Sequence, residues 1–182
     1  MIDPWLAAFA SALLSIMNPV GNAGIYASLT PGMSDADTKK VAWKCATAVL
    51  LILMISTWAG AWGLKLVGIN VDELRTAGGL IVLLIGLRML FNDTSHAQTE
   101  GEAQEAMDRS SIAIVPLAIP IVAGPGTISL IIATAGQHSA LEDHFAISLV
   151  CLILSISVGV VFSSARRLAS ALGHNGMAVV TR

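Results

Sequence analysis

Apolar residues in this chain come in uncharged blocks of about twenty, and a helix rising about 1.5 Å per residue needs roughly that many to cross about 30 Å of hydrocarbon. Five such blocks are present, at 5–30, 46–64, 76–87, 110–137 and 145–165, the third reaching 91 where Arg88 extends its charge to the headgroups. A soluble domain would alternate apolar with polar residues to give each element a wet face. Here the charges sit between the blocks. They make up 12% of 182 residues, about half the share in an ordinary soluble domain, and mean hydropathy is +0.76. This pattern dictates an all-α polytopic membrane protein, and its first partner is the lipid bilayer.

The chain's end is expected to be the entry to a sixth helix, cut short. After Arg166, Arg167 and the Gly173-His174-Asn175-Gly176 breaker, an apolar run restarts at Met177-Ala178-Val179-Val180 and stops at Arg182. The N-terminus has no basic leader, so the first block is expected to be a span and not a cleavable signal. Counting Lys and Arg in alternate connections gives the orientation. Lys39, Lys40, Lys44, Arg88, Arg109, Arg166 and Arg167 fall on one side, against Lys65 and Arg75 on the other. That imbalance places the first, third and fifth connections in the cytoplasm and the N-terminus outside. The connection 92–109, with Glu100, Glu102, Glu105 and Asp108, is expected to be a solvated cytoplasmic linker between halves at 1–91 and 110–182. A net charge of −2 provides no basic field, so no nucleic acid is expected as a partner. Cys45 and Cys151 have neither disulfide nor metal spacing and are read as small packing residues.

Two of the blocks are interrupted near their middles. The first carries Asn18-Pro19-Val20-Gly21-Asn22. Pro19 cannot donate to a helix ladder and biases Asn18 away from helical dihedrals, while Gly21 tolerates conformations that other residues avoid. The fourth block carries Pro116, Pro120 and then Gly124-Pro125-Gly126-Thr127, and Pro125 lies 106 residues after Pro19. Two halves of three spans each, interrupted in the same member, point to an inverted three-plus-three helix repeat with broken first and fourth helices. Non-helical backbone survives in hydrocarbon only against protein or a watery cavity. Both breaks are therefore expected to face each other at the bilayer midplane.

At a break, one half-helix ends in orphan carbonyls and another begins in orphan N–H groups. The beginnings near Asn22 and Thr127 suit a carboxylate and the endings near Met17 and Ala123 suit an ammonium, so a small zwitterionic amino acid satisfies both. The apolar cores contain no Asp, Glu, Lys or His, and a solute with net charge would normally be met by a counter-charge. No cofactor or metal is expected, and the coupling ion is left open. His96, His138, His144 and His174 fall in connections. Arg75 is read as a headgroup anchor, and Gly78, Gly79 and Gly86 as close-packing positions.

The motifs Asn18-Pro19-Val20-Gly21-Asn22, Leu29-Thr30, Arg75-Thr76-Ala77-Gly78-Gly79 and Val115-Pro116-Leu117-Ala118-Ile119-Pro120-Ile121-Val122-Ala123-Gly124-Pro125-Gly126-Thr127-Ile128 resemble the MarC family of bacterial inner-membrane proteins, in its SnatA-like branch. The resemblance implies six spans, an inverted repeat and transport, as an exporter, of glycine, alanine or similar small neutral amino acids. It also implies that Asn18, Pro19, Gly21, Asn22, Gly124, Pro125, Gly126 and Thr127 form the substrate site. Rival readings are a half-helix-lined channel for small neutral solutes, an intramembrane enzyme and a non-transporting membrane scaffold subunit. The channel would usually add a cationic constriction, and no Arg lies near either break. An enzyme is disfavoured because no embedded His or Lys could activate the serines. Oligomeric state is not fixed by these residues, which leaves room for a homo-oligomer.

Overall fold

The computed structural model describes residues 3–91, 118 and 122–165. They form six helices: α1 (Pro4–Met17), α2 (Pro19–Leu29), α3 (Asp35–Leu66), α4 (Val71–Phe91), α5 (Pro125–Gln137) and α6 (Leu141–Ser163). Among the described residues there is no strand. Among the described residues three segments are long and apolar enough to cross a membrane: Pro4–Leu29, which is α1 plus α2, then α3 and α6. The linker at 92–109, the restart after Arg167, and His96 and His174 lie outside the described residues, as do the side chains of Arg75 and Arg88 and the surroundings of Gly86.

Local chemistry sets the helix starts. Proline stands in the first turn of α1, α2 and α5, where its missing N–H has no helical partner to lose. Ser34 caps α3 by accepting from the Asp37 N–H at 3.1 Å. Asn70 and Glu73 form a reciprocal box at α4, where Asn70 Oδ1 accepts from the Asp72 N–H and Glu73 Oε2 accepts from the Asn70 N–H. These caps correct the expected boundaries. Helix α3 starts at Asp35 and not at residue 46, so Lys39, Lys40 and Lys44 ride on helix instead of in a loop. Likewise α4 starts at Val71, and His144 sits in the first turn of α6. Charge excludes a residue from hydrocarbon but not from a helix that continues into the headgroups.

Close approaches fix the packing. A Cβ on Gly159 would lie 3.0 Å from the Trp43 ring, and Trp58 Nε1 donates to Ser148 Oγ at 3.0 Å, so α3 and α6 run antiparallel. A Cβ on Gly78 would lie 2.4 Å from Ser129 Cβ, and one on Gly136 3.2 Å from Val71 Cγ1, so α4 and α5 are also antiparallel. Gly60 meets Ile132, with α5 rising toward the same end as α3. Gly78 is thus a packing glycine as expected, but Gly79 is not, because a Cβ there would meet only open space.

Leu13, Met17, Tyr26, Val49, Leu53, Ile131, Ile147, Val158 and Phe162 are fully buried in one core, and Cys45 and Cys151 pack within it. Leu51, Ile55, Leu149 and Ile153 face outward. Apolar side chains on both faces of a helix are what lipid as solvent requires. On α3, the exposed Trp43 and Trp62 stand nineteen residues apart, about 29 Å along the axis, close to one hydrocarbon thickness between two aromatic belts. Their midpoint falls at Ile52 and Leu53.

Candidate substrate site at two helix breaks

The first break is a single residue. Asn18 adopts φ 37°, ψ 63°, and it is the one non-glycine residue with positive φ among those described. Its N–H closes α1 on Leu14 O at 2.9 Å, its carbonyl opens α2 by accepting from the Asn22 N–H at 3.0 Å, and its Oδ1 accepts from the Gly21 N–H at 3.1 Å. Asparagine suits this position because a short polar side chain lowers the cost of the left-handed region. Gly21 follows from Asn18: a Cβ there would lie 2.3 Å from Asn18 Nδ2. The Asn22 side chain then reaches back, Nδ2 donating at 2.9 Å to the carbonyl of Met17, the last residue of α1.

The second break repeats this device with different residues. The Ala123 N–H bonds Ala118 O at 2.9 Å, a five-residue closure wider than an α-helical turn. Gly124 is extended, and Pro125 begins α5. Thr127 Oγ1 donates back to Val122 O at 3.3 Å. In both breaks a side chain in the first turn of the following helix latches a carbonyl five residues earlier. The latches are 105 residues apart, whereas the prolines are 106 apart, because the second break is one residue longer.

One difference bears on chemistry. The start of α2 is satisfied by its own Asn18 side chain, whereas α5 has Gly124 at its cap and no side-chain cap bond. The first N–H groups of α5 are therefore left without a side-chain cap. Neither α1, α2 nor α5 contains a charged residue, so the field at the breaks comes from the backbone.

The breaks stand at one depth. The Trp5 and His138 rings stack with centroids 3.9 Å apart and planes 14° from parallel, pinning the start of α1 to the end of α5. From that pin, Asn18 and Pro125 are each thirteen residues away, about 20 Å of helix, and α1 packs antiparallel against α5. Helix α5 carries an independent check. With Ile132 beside Gly60, Pro125 falls level with Leu53, halfway between the two tryptophan belts.

Of the eight residues expected at the site, Pro19, Gly21, Gly126 and Thr127 are buried and Asn18, Asn22 and Gly124 half-buried, while Pro125 is exposed. Thr127 is only 1% accessible. Sequence reasoning placed His138 in a connection and missed the pin, since a stack between residues 5 and 138 leaves no local pattern.

Packed apolar helices, lipid-facing tryptophans and interrupted spans define a polytopic α-helical integral membrane protein. The chain belongs to the MarC family of integral membrane proteins, whose sequence profile matches residues 4–182. The membrane protein YvbG of Bacillus subtilis is 32% identical, the match covering 94% of this chain and 82% of the relative. A membrane protein of Methanocaldococcus jannaschii is 32% identical over 94% of this chain and 84% of its own. The inner membrane protein MarC of Salmonella typhimurium is 31% identical over 93% of this chain and 82% of its own. No solved structure matches this one.

Proposed function

We propose that the protein is a secondary transporter, working as an exporter, of small neutral amino acids such as glycine and alanine across the bacterial inner membrane. The reading includes an N-terminus outside and an inverted three-plus-three repeat, and it requires neither a cofactor nor catalysis. One observation carries it: two breaks at matched depth, each with a carbonyl end held by a neutral side chain, in helices free of charge. A zwitterion needs one anion site and one cation site of partial charge, and no net counter-charge. In this reading the carboxylate takes the uncapped N–H groups of Gly126 and Thr127 at the start of α5. The ammonium takes Met17 O from the Asn22 amide, whose Oδ1 then becomes a second acceptor. The Trp5–His138 stack closes the outer end while the site fills.

The test is reconstitution of the full chain in liposomes with labelled glycine, alanine, serine and threonine, with and without ion gradients. Saturable flux with counterflow is the expected result. Replacing Thr127 with Val, which keeps shape but removes the hydroxyl, should raise the half-saturating concentration about tenfold or more, and Thr127→Ser should restore it. Unsaturable flux would make the protein a channel. Correctly inserted protein with no flux would make it a scaffold subunit.

A further inference from the structure

On the membrane face between α3 and α6 lies a groove of about 60 Å³ lined by Trp43, Ala46, Thr47, Leu50, Ser155 and Ile156. Ser155 is 2% accessible, and its Oγ is the one buried side-chain nitrogen or oxygen without a hydrogen-bond partner among the described residues. A buried hydroxyl left without a partner is unfavourable, so one in the lining of a groove points to something that fills it. Lys40, Trp43, Thr47 and Leu50 follow one face of α3, with Lys44 beside Trp43 and Lys39 one residue before Lys40. All three lysines are exposed.

Depth identifies the occupant. Trp43 belongs to the aromatic belt on the lysine-bearing side, so the lysines stand at phosphate level. Ser155, one turn of α6 before the Gly159 that meets Trp43, stands about 6 Å deeper. From the surface inward the groove therefore offers ammonium groups, an indole, a hydroxyl donor and an apolar floor. Beyond Asp143, the described part of α6 has no charged residue to oppose an anion, and the nearest acidic groups, Asp35 and Asp37, sit in the first turn of α3.

We infer that this groove is a binding site for one anionic phospholipid, with phosphate on Lys40 and Lys44, glycerol ester carbonyl accepting from Ser155 Oγ, and acyl chain along Thr47 and Leu50. Hydrocarbon alone would not satisfy the hydroxyl, and the three lysines outnumber Asp35 and Asp37 one turn away, a positive balance that favours an anionic headgroup over a zwitterionic one.

The purified full chain is titrated with dioleoylphosphatidylglycerol or dioleoylphosphatidylcholine, and bound lipid is read by native mass spectrometry. Phosphatidylglycerol should be retained preferentially. Lys40→Gln and Lys44→Gln should each lower its affinity about fivefold, with little change for phosphatidylcholine. Ser155→Ala should lower affinity for both lipids about fivefold at unchanged helix content. Brominated phosphatidylglycerol should quench tryptophan emission more in the unmodified chain than in Trp43→Phe, which gives a second measure if a lysine variant folds poorly. Equal retention of the two lipids, or retention indifferent to Ser155 and the lysines together, overturns the proposal. So does a groove that excludes brominated lipid because residues 166–182 or a second copy cover it. These readouts need no transport, so the site stands or falls separately from the proposed function.

Discussion

Asn18 carries two jobs in one side chain, holding φ 37° and capping Gly21, and substitution separates them. Glycine takes the left-handed region freely and loses only the cap acceptor, so Asn18→Gly should cost a few tenths of a kcal/mol. Alanine loses the cap and pays for its Cβ, so Asn18→Ala should cost about 2 kcal/mol. Thermal unfolding in detergent should therefore rank wild type, Gly and then Ala, and an alanine variant as stable as the glycine one would refute the backbone assignment. A neighbouring contrast tests packing. Gly78→Ala drives a Cβ to 2.4 Å from Ser129 Cβ and should cost about 1–3 kcal/mol, whereas Gly79→Ala points into open space and should be neutral or gain up to about 1 kcal/mol. Adding Ser129→Gly should rescue the first variant and leave the second unchanged. The Asn-Pro-x-Gly pattern was legible in the sequence because its chemistry is local. Which glycine of the 78–79 pair meets a neighbour was not, since that depends on where α5 comes to rest.

Between α1 and α5 the breaks are placed by two arms of equal length joined at an aromatic pin, so the transport reading makes the pin a gate. Cysteines replacing Trp5 and His138 should be bridged by a short bifunctional thiol reagent, seen as altered gel mobility after cleavage in the 92–109 segment. Bridging should arrest amino-acid flux, and a cleavable reagent should restore it on reduction. Efficient bridging with undiminished flux would leave the stack as structure and remove it from the mechanism. Cys45 and Cys151 are buried and should not compete. At this scale the sequence showed the spans but not their ends. Helix α3 runs well past its apolar block because Ser34 caps it beyond Lys39, and polarity marks where lipid stops instead of where hydrogen bonding stops. The breaks were visible as paired Pro-Gly motifs, and overlaying Pro19 on Pro125 aligns the helix starts. It misaligns the carbonyl ends by one residue, because a five-residue closure at Ala123 leaves no trace in residue type.

Across the whole molecule, the direction of every helix follows from a few contacts, which makes the orientation testable as one statement. The α3–α4 turn and the α5–α6 turn lie at one end of the bundle, since Val71 meets Gly136 and Trp58 meets Ser148. The α2–α3 turn lies at the other end, where Tyr26 stacks on Phe162 with centroids 4.7 Å apart. The lysines of α3 belong to this second end, and basic residues concentrate on the cytoplasmic side. An impermeant maleimide applied to intact cells should therefore label Val67→Cys and Ser139→Cys, and should label Ala36→Cys only after permeabilisation. The reverse pattern would place the N-terminus inside and turn the proposed lipid site toward the outer leaflet. Labelling of Val67 and Ser139 from opposite sides would break the antiparallel pairing of α4 with α5. The depth match between the breaks would then fail, because the two equal arms face each other only if α1 and α5 run in opposite directions from the same surface.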